Sequence, residues 1–149
     1  MKITLCGSIA FIDEMDTVRK ALELMGHEVK MPPLEVADET GAMIPVKKYY
    51  ALRKSITDDA SWIWKRKAEA MRWHFDKIVW SDVILVLNEG KNGIPGYIGA
   101  NTLLEMGLAF HLKKPIYLLM PIPEISYKEE ILGMLPIVID GDLKKIIKK

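Results

Sequence analysis

The chain has 149 residues, half of them hydrophobic, enough for one domain with a sizeable core. Its 21 basic and 20 acidic side chains leave a formal net charge of +1, a balance that gives no basis for nucleic acid as the main partner. The single cysteine, Cys6, excludes an internal disulfide, and no run reaches the roughly 18 apolar residues of a membrane span.

Residues 2–6 form a short apolar strand that ends at Gly7-Ser8. Residues 13–25 carry Met15, Val18, Leu22 and Met25 at helical spacing, with Asp13 as the expected N-cap and Gly26 as the stop. His27 to Met31 alternates as an edge strand. Residues 32–46 hold three prolines and one glycine and read as a loop, a candidate lid. From 47 to 79 the pattern is helical and heavily charged, with Met71, Phe75, Ile78 and Val79 on one apolar face. Val83 to Leu87 is a continuous apolar run, as a central parallel strand requires. A loop over 88–97 leads to a helix over 98–112. Pro115 to Leu119 and Ile137 to Ile139 follow as strands, and the basic tail from Lys144 to Lys149 reads as a final helical turn. This alternation predicts an α/β three-layer sandwich of Rossmann or flavodoxin type, with four to five mostly parallel strands and one domain spanning 1–149. The N-terminus lacks the long apolar region of a secretory leader, and with a single cysteine the expected location is cytoplasmic.

Ligands in such sheets bind beyond the carboxyl ends of the strands, where the strand order switches. The loops at Gly7-Ser8 and at Asn88, and the helix with Glu105, are therefore expected to converge on one pocket. Glu105 is the most informative residue. Its helical neighbours at i+3, i+4 and i+7 are Leu108, Ala109 and Leu112, so it does not lie on a solvated stripe. Either it is a buried functional carboxylate or it reaches water past small neighbours. Gly7 lets a ligand approach the backbone, and Ser8 adds a hydroxyl suited to phosphate, although a simple turn would look the same. Gly96, Gly99 and Asn101 lie at or near a helix N-terminus. Asn101 either orients Glu105 from one turn away or caps its own helix. Asp82 reads as a turn contact. His74, between Trp73 and Phe75, reads from its position alone as structural or solvated. His27, His74 and His111 show no ligand spacing with each other or with Cys6, so no metal site is expected. Trp62, Trp64, Trp73 and Trp80 suit a core or an oligomer interface. Arg53, Lys65, Arg66 and Arg72 either include a phosphate ligand or coat a solvated helix.

Three blocks together resemble the nucleoside 2-deoxyribosyltransferase superfamily, including the 2′-deoxynucleoside 5′-phosphate N-hydrolases. They are Ile3-Thr4-Leu5-Cys6-Gly7-Ser8-Ile9, Ser81-Asp82-Val83-Ile84-Leu85-Val86-Leu87, and Gly99 to Ala109 followed by Lys114-Pro115-Ile116. The last is similar to the family's glutamate block and is the most specific. The resemblance implies that Glu105 is a nucleophile attacking the anomeric carbon of a nucleoside or nucleoside 5′-monophosphate. With that chemistry, Gly7, Ser8, Ile9, Asn88, Gly99 and Asn101 are the residues expected to hold the substrate. Asn101 and Leu103 stand where members usually have glycines, and His74 stands where many have an aspartate that handles the leaving base. A histidine acting as an acid near neutral pH is the expected replacement. No cofactor or metal is expected, since a carboxylate supplies the nucleophile. The expected partners are a small-molecule substrate and further copies of the chain, as a dimer or higher oligomer, with neither nucleic acid nor membrane. The rival expectation is a non-catalytic nucleotide-binding or sensor module on the same fold.

Overall fold

The computed structural model describes residues 1–59 and 61–147. The chain opens with β1 (Lys2–Gly7), which leads through a 3-10 turn (Ile9–Phe11) into α1 (Ile12–Leu24) and the short β2 (Glu28–Lys30). A hairpin of β3 (Glu35–Ala37) and β4 (Met43–Pro45) precedes α2 (Val46–Ser55) and α3 (Trp62–Trp80). Then come β5 (Val83–Leu87), α4 (Ala100–His111), β6 (Ile116–Leu118), α5 (Lys128–Gly133), β7 (Ile137–Val138) and a 3-10 turn (Leu143–Lys145). The main sheet has five strands in the order β2-β1-β5-β6-β7, and every pairing in it is parallel. This is the α/β sandwich expected from the alternation of strands and helices. Among the described residues, no helix is long and apolar enough to cross a membrane.

Side-chain parity on β1 sorts the two faces of the sheet. Ile3 and Leu5 enter a core with Phe11, Ile12, Met15 and Leu22 from the α1 side and Tyr49 from α2. Cys6 enters the other core, with Ile78 of α3, Met106 and Ala109 of α4, and Ile131 of α5. Helices thus cover both faces, and β5 is buried at every position, as its unbroken apolar run requires. The Thr4 hydroxyl, on the Cys6 face, donates to the Lys77 carbonyl at 2.8 Å and ties β1 to α3. The end of α3 is satisfied by Lys114, whose ammonium donates to the carbonyls of Ile78 (2.8 Å), Val79 (2.6 Å) and Ser81. Asp82 makes the expected turn contact: its carboxylate accepts from the Lys2 N–H at 2.8 Å.

Several local expectations are corrected. The helical stretch expected over 47–79 is two helices, because Ile56 is extended and Ser61 caps α3 by accepting from the Ile63 N–H at 3.3 Å. The segment 32–46 is not a plain loop but carries the β3–β4 hairpin. The Asp38 carboxylate closes its turn, accepting from the N–H groups of Thr40 (2.8 Å) and Ala42 (3.0 Å). Asp13 does not cap α1. Phe11 occupies the cap position without a side-chain bond, and Asp13 sits in the first turn, ion-paired with Lys47. The basic tail forms a 3-10 turn over Leu143–Lys145, not an α-helical one, and Lys148 and Lys149 lie outside the described residues.

Candidate active site

From β1 the chain crosses to β2 on one side, whereas from β5 it crosses to β6 on the other. The carboxyl ends of β1 and β5 therefore flank the switch point where α/β sheets bind ligands. A cleft of ≈ 700 Å³ opens there, within the usual range for a small-molecule site. Gly7, Ser8 and Ile9 line it from the end of β1, and Gly99 to Thr102 with Glu105 line it from α4. Lys67, His74 and Lys77 enter from α3. The rim comes from Tyr50, Arg53 and Lys54 of α2, from the hairpin, and from Lys91 and Tyr97 of the β5–α4 loop.

Glu105 is buried, so it does not reach water past small neighbours. Its Oε1 accepts from the Asn101 side-chain amide at 2.9 Å. Asn101 in turn accepts from the Lys67 ammonium at 3.2 Å. The cap of α4 is Gly99, without a side-chain bond, so Asn101 orients the carboxyl instead of capping its helix. Oε2 has no hydrogen-bond partner among the described residues. Burial raises the Glu105 pKa to about 8, although Cys6, Lys67 and Lys77 pull it back.

His74 lies beside this free oxygen, its Nε2 at 3.8 Å from Oε2 and 3.5 Å from Cys6 Sγ. Burial lowers its pKa to about 4, Lys77 adds to the fall, and the Leu5 backbone partly offsets it. The imidazole is therefore neutral near pH 7. A neutral imidazole in the free cleft weighs against the expected role of His74 as the acid that protonates the leaving base.

Gly7 has φ +152°, and a Cβ there would come within 2.8 Å of Met15 Cε and 2.9 Å of the Leu87 carbonyl. Only glycine fits this crossing into the cleft. Ser8 caps the 3-10 turn by accepting from the Ala10 N–H at 3.3 Å. Its hydroxyl also accepts from the Lys91 ammonium at 2.9 Å, and Lys91 donates to the Tyr50 hydroxyl at 2.7 Å. This cation at the first loop makes no ion pair among the described residues.

Asn88 is the expected site residue that the structure keeps out of the cleft. Its side chain is fully buried, donating to the carbonyls of Met120 (2.9 Å) and Pro121 (3.1 Å) and accepting from the Met120 N–H at 2.8 Å. All of this staples the end of β5 to the end of β6. Of the four cations named from the sequence, Arg53 and Arg66 reach the cleft wall, whereas Lys65 and Arg72 are exposed elsewhere. Arg66 is paired with Glu69 at 2.6 Å. Sequence reasoning missed Lys67 and Lys91. Lys67 directly followed the named Lys65 and Arg66, on the inner side of α3, and Lys91 stood alone in a loop of Gly and Asn.

No protein-family model matches the chain, and no curated protein matches it. Solved structures do. A 2-deoxyribosyltransferase from the psychrotolerant bacterium Bacillus psychrosaccharolyticus is 19% identical, covering 80% of this chain and 72% of its own, with a TM-score of 0.49. A Clostridium botulinum CMP N-glycosidase is 16% identical over 93% of this chain and 86% of its own, with a TM-score of 0.48. A conserved protein from Enterococcus faecalis is 18% identical over 91% and 74% of the two chains, with a TM-score of 0.46. These are likenesses of backbone path, and the chemistry rests on this chain's own residues.

Proposed function

We propose that this chain cleaves or transfers the N-glycosidic bond of a nucleoside or nucleoside 5′-monophosphate, with Glu105 as the nucleophile. The observation that carries the reading is the carboxyl itself: buried at the cleft, held through Oε1 by Asn101, with Oε2 left free. A carboxylate so oriented attacks the anomeric carbon and stabilises an oxocarbenium-like transition state. The C–N bonding pair leaves with the base, and a covalent glycosyl ester remains on Glu105. Water then hydrolyses the ester, or a second base accepts the sugar. The Ser8–Lys91–Tyr50 cluster supports a 5′-phosphate, because Lys91 offers a cation beside the first loop and Ser8 and Tyr50 offer hydroxyls.

The test is chromatographic detection of free base after incubation with a panel of nucleosides and their 5′-monophosphates, beside Glu105→Ala. Release by the wild type that drops by at least about a thousandfold in the variant is expected for loss of a nucleophile. One observation favours the rival reading of a nucleotide sensor: with its pKa near 8, most of Glu105 is protonated at pH 7 in the free cleft. Nucleotide binding without release of base from any panel member would establish that reading.

The active form is a homodimer. α3 and α4 pack side by side and leave Trp73, Val79, Leu104 and Phe110 exposed, and Trp73 also lines the cleft. A second copy would cover these side chains.

A further inference from the structure

We propose that Cys6, His74 and Glu105 form a binding site for a thiophilic divalent cation of the zinc class, entered from the cleft. The three side chains come from β1, α3 and α4, far apart in sequence, yet their donor atoms all lie within 4.8 Å of one another. Cys6 Sγ is 3.5 Å from His74 Nε2, and that nitrogen is 3.8 Å from Glu105 Oε2. A tetrahedral zinc with bonds of about 2.3 Å to sulfur and about 2.0–2.2 Å to nitrogen and oxygen holds its donors roughly 3.4–3.6 Å apart. The thiol–imidazole separation already fits that geometry, and the imidazole–carboxylate separation needs a contraction of a few tenths of an ångström, with the third pair within 4.8 Å. Thiolate, imidazole and carboxylate together suit zinc and its neighbours, not magnesium or calcium.

A second observation points to a missing ligand. Among the described residues Glu105 Oε2 has no hydrogen-bond partner, although the side chain is only 5% exposed. Buried polar groups are normally satisfied. His74 and Glu105 both line the cleft whereas Cys6 lies behind them. The ion would therefore arrive over the imidazole and carboxylate, with any further ligand drawn from the cleft. Its capture expels the thiol proton to solvent.

The site has a functional consequence that rests on the reading of Glu105 as a nucleophile. The metal would take Oε2, the oxygen free to attack the sugar. Metal occupancy and glycosyl transfer are then mutually exclusive, and zinc acts as an inhibitor at this cleft.

Cobalt(II) titration of the chelator-treated protein reads the site without any substrate. The expected result is one equivalent bound, a thiolate-to-cobalt charge-transfer band in the near ultraviolet, and visible bands of a four-coordinate ion. Cys6→Ser should abolish the charge-transfer band, and His74→Gln should weaken cobalt affinity more than about tenfold. Absence of the band from the wild type overturns the site whatever the variants do, and so does its persistence in Cys6→Ser. Zinc added to the base-release assay should abolish turnover, and a chelator should restore it. Unchanged turnover with saturating zinc overturns the mutual exclusion but leaves the cobalt result standing. No base release from any substrate would instead count against the glycosyl reading, again without touching the cobalt bands.

Discussion

On the proposed mechanism Glu105 has to be ionised to attack, yet burial holds its pKa at about 8. The kcat/KM for a nucleoside should therefore rise about tenfold per pH unit toward pH 8 and level above it. A profile flat between pH 5 and 9 would remove Glu105 from the rate-controlling step. Lys67 lowers the Glu105 pKa through its charge, so Lys67→Met should move the midpoint upward. The same burial has a thermodynamic side. Below about pH 4.5 the carboxyl is protonated whether the chain is folded or unfolded. As the pH rises from there toward 8, the unfolded chain releases the proton first, and folding stability falls. Glu105→Gln escapes this loss. Its advantage over the wild type should be negligible near pH 4 and grow with pH. Above pH 8 it should reach on the order of a few kcal/mol, since each tenfold difference in proton affinity between the folded and unfolded chain is worth about 1.4 kcal/mol. Denaturant titrations at both ends of the range check it, and a constant difference would contradict the assignment. The variant would be stabler and, on the proposed mechanism, inactive, because the same buried carboxyl costs stability and carries the chemistry.

At the scale of elements, strong hydrophobic patterns were legible and polar exceptions were not. The unbroken run of β5 and the spacing of Met15, Val18 and Leu22 gave their elements away, because burial dictates both. The break between α2 and α3 rests on one cap, Ser61, inside a stretch whose charge pattern still reads as helix. The β3–β4 hairpin hid behind Pro45, which is tolerated because it closes an edge strand. Neither sequence pattern nor spacing announced α5. Within the site, Glu105 stood out because its helical neighbours are apolar. Cys6 and His74 could not be joined to it, since strand parity and the α3–α4 packing bring them together across 68 residues of chain. Asn88 misled for a physical reason: polar residues at strand ends meet ligands often, but this amide is saturated by the β6 end. Asn88→Ala should cost about 1–3 kcal/mol of stability. KM should hold steady while the protein unfolds at lower denaturant, and a selective rise in KM with unchanged stability would return Asn88 to the cleft.

For the whole molecule, the strand order sets where chemistry can happen. β1 and β5 diverge in their connections, and the cleft fills the gap with α2 and the hairpin above it. The exposed apolar side chains of α3 and α4 lie on the outside of this assembly. Light scattering at micromolar concentration should give twice the mass of the chain, and Phe110→Glu should shift it toward the monomer. A wild type that scatters as a monomer removes the dimer. The chain's one cysteine sits on β1, beside the central strand, with no exposed surface. A thiol reagent can reach it only when the core around β1 or the His74–Glu105 wall of the cleft opens, so the labelling rate measures how often this part of the protein opens. The unaltered molecule thus carries its own clock for breathing, with no engineered probe and no second thiol to confuse the reading.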